Sequence, residues 1–514
     1  MLSSCGFSKD IKDLQSLSDE RIRRIVQDVL HKNKKEQTGE LMITSPCNGA
    51  VFPPEIASPQ FTWQDKTPGV QYWVVAVDLD SHQAIYNVTG KNRWIPDERT
   101  WEAIKKNAIG SEADITIMGV NGIDRPVVVS KSNLFISIST DRVDALILYR
   151  QVPLPFMVGE KNFRKIRWML GDIASCGNPA VVMKDIPVCA SCHQVAGDGN
   201  IITMEMNFQN DSGAQFISTI QENIRLSEAD FMTWSDYPKP DILPKTRGLF
   251  ARISPSGKYI VATVNEISYA AITNDPAFSQ LFFPTYGILS LYSVEQHTFQ
   301  PLNGADNAGY IQTNPSWSPD EKEIAFALSE TKNHFHEDLA HIKTHIKDMS
   351  IEELNRRFPI QFDIWKMPFN EGKGGKSRPL RGASNNGMSN YFPRFSPDGK
   401  WIVYTRSRTG IMLQPDSELY IVPAGGGLER RMRCNRAKFN SWHSWSPNSK
   451  WLLFSSKANS MYTEIFLTHI DENGNDSPPV CLFRLSDDSM AANLPEFVDL
   501  NAGKIKTIQL NDKG

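Results

Sequence analysis

Cys189, Cys192 and His193 stand in the run CASCHQVAGDG (189–199), and their types and spacing permit three chemistries. Two thiols three residues apart, followed at once by an imidazole, can form thioethers with the two vinyl groups of a haem while the histidine ligates its iron. The same thiols can instead close a disulfide or persist as a strained dithiol, or they can supply half of a zinc site. A zinc ribbon needs a second Cys-x-x-Cys, and the chain has none.

A second cluster lies in HFHEDLAHIKTHIKD, which holds His334, His336, His341 and His345. His341 and His345, four apart, would share one helix face and form a possible metal pair with Glu337 nearby. The competing reading is a solvated helix, since the spacing is not that of the zinc-protease His-Glu-x-x-His pattern. The remaining thiols, Cys47, Cys176, Cys434 and Cys481, allow three pairings that sequence does not choose among. No Gly-x-Ser-x-Gly elbow, phosphate-binding loop or dinucleotide fingerprint occurs, so a binding scaffold is favoured over an enzyme.

The 514 residues that must position these groups exceed one small core. A formal net charge of −3 gives no basic excess of the kind nucleic-acid binders carry. The 12 Trp, 13 Tyr and 26 Phe, with 32 Gly and 31 Pro, suit many short aromatic strands broken by turns, an all-β body. No apolar run is long enough to span a bilayer as a helix.

The strongest organisational signal is a repeat. ARISPSGKYIVATVN from Ala251, PSWSPDEKEIAFALS from Pro315, PRFSPDGKWIVYTRS from Pro393 and HSWSPNSKWLLFSSK from His443 share an apolar residue, Ser-Pro, a polar turn and an alternating strand. Ser and Pro begin a type I turn and Asp or Asn with Gly completes it. HQVAGDGNIITMEMN from His193 and PEFVDL from Pro495 fit the same frame, and the starts lie 50 to 78 residues apart, as four-stranded propeller blades require. The last unit is too short for a blade, so strands near ALILYR (145) and AVVMK (180) are expected to complete it and close a six-bladed ring. Equivalent positions would then face one axis, which makes His443 a candidate second axial ligand beside His193. Met204 and Met206 are the alternative ligands, although methionine on a strand more often packs than ligates.

These units resemble the TolB-like propellers, whose repeat opens aromatic-Ser-Pro-Asp-Gly-Lys, over roughly residues 145–510. FNSWHSWSPNSKWLLFSSK with CASCH and AANLPEFV is similar to a subgroup of exported, mostly Bacteroidota proteins labelled TolB-like or cytochrome c biogenesis proteins. The resemblance implies an envelope protein whose propeller channel binds envelope proteins or a small ligand. It leaves a haem c redox protein as the alternative. TolB's own N-terminal domain is of another type, so no Tol–Pal role is implied.

Upstream, Leu2-Ser3-Ser4-Cys5 resembles a bacterial lipobox, and Ser8-Lys9-Asp10 resembles a surface-export signal. Lipidation at Cys5 would tether residues 1–17 to the outer membrane of a Gram-negative envelope, facing the periplasm or the cell surface. Residues 18–35 read as an amphipathic helix through Ile22, Ile25, Val26, Val29 and Leu30, with a basic face of Arg21, Arg23, Arg24, Lys32 and Lys34. Residues 41–141 read as an immunoglobulin- or fibronectin-like β-sandwich with Trp63 and Trp73 in its core. The propeller is expected over 145–510, with a helical insertion at about 331–358 whose last helix is capped by Ser350 and Glu353.

Overall fold

The computed structural model describes residues 19–32, 39–79, 83–196, 199–241, 243–273, 275–278, 281–331, 345–346, 349–499 and 504–510. The tether with Cys5, and His334, His336 and His341, lie outside the described residues. Of His345 only the backbone is described, pairing as a short strand beside Ala270.

The first helix covers Asp19–Lys32. Ile22, Ile25, Val26 and Val29 are buried against Tyr72, Val74, Met118 and Val120 of the following domain, whereas Leu30, expected in the same stripe, faces solvent. That domain consists of a three-stranded and a five-stranded sheet. Trp63 and Trp73 meet edge to face in its core at 5.9 Å. A helix at Glu98–Ala108, absent from the sequence reading, closes one side. Asp97 caps it by accepting the Thr100 N–H at 2.8 Å, and Trp101, Ile104 and Ala108 form its buried stripe.

Most of the remaining described strands pair into six four-stranded antiparallel meanders, a β-propeller, and Asn223–Leu226 pairs in parallel with Thr507–Leu510 outside them. Blade 1 joins the two ends of the domain: Met490–Val498 is its inner strand, paired with Leu146–Pro153, then Arg167–Gly171 and Ala180–Met183. The inner strands of blades 2 to 6 are Ala190–Val195, Leu249–Ile253, Tyr310–Trp317, Ser389–Phe395 and Asn440–Trp445. They touch in chain order, with that of blade 1 lying between blades 6 and 2, so the ring is closed.

The repeat signature has a hydrogen-bonding cause. In Ser318, Ser396 and Ser446 the hydroxyl donates to Asp320, Asp398 or Asn448 at 2.6–2.8 Å. The same hydroxyl accepts the N–H of the second strand's first residue, Glu323, Trp401 or Trp451, at 2.9–3.0 Å. Gly257 and Gly399 take the left-handed position of this turn. Between the second and third strands of blade 4, Glu323–Glu330 and Asp363–Pro368, stands a helix at Ile351–Arg357, with Ser350 accepting the Glu353 N–H at 3.1 Å.

The two-sheet domain packs on blade 6. Phe52, Trp101 and Ile136 share one core with Trp451, Leu453 and Leu467. Asp141 accepts from His469 Nε2 at 2.7 Å through its carboxylate and from Trp451 Nε1 at 3.1 Å through its carbonyl.

Candidate functional site

Every inner strand carries a β-bulge. In blades 3, 4, 5, 6 and 1 the first bulged residue, Phe250, Asn314, Phe392, Trp442 or Leu494, adopts the left-handed conformation, with φ between 52° and 56°. Three of these precede proline, which disfavours the right-handed conformation that a bulge ordinarily uses. For bulky side chains this conformation costs on the order of 1 kcal/mol or more each, and strain of this kind concentrates at functional sites. All five side chains line a single cavity of ≈ 590 Å³ on the propeller axis. Phe250 stands edge-on to Phe392 at 5.4 Å and to Phe282 at 5.7 Å, forming an aromatic collar.

One hairpin roofs the cavity. The second and third strands of blade 3, Tyr259–Ala271 and Leu281–Ser293, are 13 residues each against the six to eight usual in the other blades. Their overhang crosses the ring: Phe282 exchanges backbone hydrogen bonds with Met412, in the loop between the second and third strands of blade 5, at 2.7 and 3.4 Å. From blade 6, Lys457 donates to the carbonyl oxygens of Ala277 in this overhang and of Met461, and its ammonium lies 5.3 Å from the Phe278 ring. Burial pushes the Lys457 amine down to about 8.

Blade 2 contributes the thiols. Its bulge falls at Ser191 and Cys192, so Cys189, Ser191 and Cys192 all reach the cavity wall, while His193 does not. Both cysteines are free thiols, and burial raises their pKa values. Glu205 stands behind them, accepting from the Ser191 hydroxyl at 2.7 Å and the Ala251 N–H at 3.2 Å; burial pushes its carboxyl upward. Arg252 of blade 3 reaches Glu496 of blade 1 at 2.7 Å, an ion pair that spans the inner end of blade 2.

Arg150, on the second strand of blade 1, escaped the sequence reading. It is only 7 % exposed, lines the cavity, and has neither Nε nor Nη2 partnered. Its guanidinium lies 5.5 Å from the Trp168 ring and 6.0 Å from that of Phe156, and no ion pair reaches it among the described residues. The signal was an arginine inside LILYRQVP, a strand otherwise rich in apolar residues.

Comparison with known proteins finds no matching family model and no matching curated sequence. Among solved structures the chain is similar to TolB from Acinetobacter baumannii, at 12% identity over 75% of this chain and 79% of that one, TM-score 0.41. It is also similar to a protein named for TolB from Agrobacterium tumefaciens (15%; 71% and 94%; 0.37) and to an oligogalacturonate lyase in complex with manganese (10%; 64% and 73%; 0.37). The propeller assignment rests on the strand pairing described above.

His193 and His443 are equivalent but do not meet. His193 Nε2 donates to the Leu148 carbonyl at 3.2 Å, in the seam between blades 1 and 2. His443 Nε2 donates to the Val403 carbonyl at 2.9 Å, between blades 5 and 6. Leu148 and Val403 are themselves equivalent, each opposite the residue after its blade's bulge. The expectation that both imidazoles share an iron at the axis is corrected for His193, which is turned away from the cavity; His443 borders the cavity, yet each imidazole is bonded into a different seam as a blade-to-blade tie. Burial holds the His443 imidazole down at about 4 and lowers that of His193 as well.

This geometry does not fit a c-type haem. The attachment needs both thiols and an imidazole lone pair on one side, yet the thiols face the cavity and the His193 imidazole turns into the seam. Its Nε2 carries the proton given to Leu148. Among the described residues no group of three His, Cys, Asp or Glu is placed to hold a metal ion. His341, on which the other metal reading depends, lies outside the described residues.

Proposed function

We propose that the chain is an envelope-located binding protein that holds a small ligand in the roofed cavity of its propeller. The observation that carries this reading is the convergence of five strained bulges on one cavity whose volume lies within the range of small-molecule sites. The wall is mixed in the manner of such sites: an aromatic collar supplies apolar area, and a few polar groups converge on it. Burial pushes the thiols of Cys189 and Cys192 and the carboxyl of Glu205 toward their protonated forms, which disfavours a thiolate nucleophile, while the Lys457 ammonium is engaged by the Ala277 and Met461 carbonyls.

Envelope location and a lipid anchor at Cys5 form part of this proposal and rest on the lipobox-like Leu2-Ser3-Ser4-Cys5 alone. No helix among the described residues is long and apolar enough to cross a membrane.

The test of the cavity uses the uncharged fluorophore N-phenyl-1-naphthylamine. Saturable enhancement is expected with the unaltered chain and its loss with Ala277→Trp, which places an indole under the roof. Failure to bind, or binding that Ala277→Trp leaves unchanged, overturns the reading. Acyl chains on the N-terminal peptide, read by mass spectrometry, test the anchor.

A further inference from the structure

Resting on that binding reading, the side chains inside the cavity narrow the ligand's chemistry. An arginine withdrawn from water usually sits against a carboxylate or phosphate, because an unpaired buried charge is strongly disfavoured. Arg150 has no such partner. Glu205, on the same wall, directs its two oxygens to Ser191 and Ala251 instead, and Glu496 is taken by Arg252. The Trp168 and Phe156 rings flank the guanidinium but offer no acceptor for Nε and Nη2. These two donors form one edge of the planar fork that carboxylates and phosphates grip with two hydrogen bonds. Arg247 and Arg394 add positive charge to the cavity lining, and Glu160 is its one further carboxylate.

We propose that the ligand carries an anionic head, a carboxylate or a phosphate, that docks on Arg150 while its apolar body lies against the collar of Phe250, Phe392 and Trp442.

The experiment titrates the full chain with 1-anilinonaphthalene-8-sulfonate, which carries an anion on an aromatic body, and with uncharged N-phenyl-1-naphthylamine in parallel. Arg150→Met keeps the aliphatic stem and removes the charge. The sulfonate's Kd is expected to rise at least about tenfold, the loss of a charge-assisted hydrogen bond, while the neutral probe's Kd stays within about twofold. An unchanged sulfonate Kd overturns the anion proposal and leaves the cavity reading intact; failure of both probes with the unaltered chain overturns the cavity reading itself.

Should Arg150→Met fail to fold, the unaltered chain decides through ligand-induced shifts in Tm. 1-Naphthaleneacetate or 1-naphthyl phosphate is expected to raise Tm more than 1-naphthaleneethanol does, and the larger of the two anion shifts distinguishes carboxylate from phosphate. Equal shifts for all three compounds overturn the proposal.

Discussion

His443 offers a sharp test of how the blades are tied. Its imidazole is 3 % exposed, gives its one proton to the Val403 carbonyl, and leaves Nδ1 as a lone pair with no partner. Protonation at Nδ1 would bury a cation without a counter-charge, so the folded-state pKa falls to about 4 from the ordinary 6.5 of an imidazole in water. A depressed pKa means that the unfolded chain takes up a proton first as pH falls. Stability from this group is therefore complete above pH 6.5 and is lost downward toward pH 4. At about 1.4 kcal/mol per unit, the loss is about 2 kcal/mol by pH 5 and about 3 kcal/mol by pH 4. Asparagine can keep a donor near the carbonyl and does not titrate. Urea unfolding of the unaltered chain and of His443→Asn at pH 7, 6, 5 and 4.5 isolates the contribution: the variant starts less stable, and the gap between the two narrows as pH falls. Parallel stability profiles across that range would refute both the buried neutral imidazole and its role as a seam tie.

Lys457 works in the opposite pH range. With its amine near 8 in the fold, against 10.5 for a lysine in water, the unfolded chain holds the extra proton between those values, so stability rises by about 3 kcal/mol from pH 8 to pH 10.5; Lys457→Met should flatten that rise in thermal unfolding. Glu496→Ala leaves Arg252, whose side chain is 19% exposed, without its partner, at an expected cost of about 3 kcal/mol in urea unfolding, and the double change Arg252→Met with Glu496→Met should recover most of it. Protein made alongside the cytochrome c maturation machinery should show no Soret band and no haem stain, whereas a covalent haem would overturn the placement of His193 in the seam.

The ring was legible because its signature is local chemistry. A serine that both donates to Asp or Asn and accepts from the next strand leaves the same Ser-Pro-Asp-Gly-Lys trace in blade after blade, and the short last unit pointed to closure through residues near 145 and 180. The helix at Glu98–Ala108 was also encoded, by Asp97 as cap and by Trp101, Ile104 and Ala108 at helical spacing, but at 11 residues between strands its apolar period is short. The site was less legible. The repeat frame matched His193 with His443 correctly, yet direction depends on bulges, which shift side chains between faces without leaving a residue signature. Arg150 requires knowing that its strand is an inner neighbour of the closing one, which is a consequence of topology and not of spacing.

Blade 2 departs from the others in ways that bear on one another. Ala196 replaces the turn serine, the bulge sits one residue earlier, and neither bulged residue, Ser191 or Cys192, takes a left-handed angle. Counting back from the turn, Cys192 occupies the place that Phe250, Asn314, Phe392 and Trp442 hold in blades 3 to 6. A small side chain therefore interrupts the collar, and the charge of Arg150 is close enough to act on the Cys192 thiol. The gap in the collar and the unpartnered guanidinium belong to one arrangement: a bulky residue at 192 would fill the space through which an anionic head reaches Arg150. Cys192→Phe should thus weaken 1-anilinonaphthalene-8-sulfonate binding by about tenfold or more at a packing cost of about 1–3 kcal/mol, read by urea unfolding. A folded Cys192→Phe chain that binds the sulfonate as tightly as before would show that the anion enters elsewhere. The Cys-x-x-Cys-His run would then need another explanation than a gap left for a ligand.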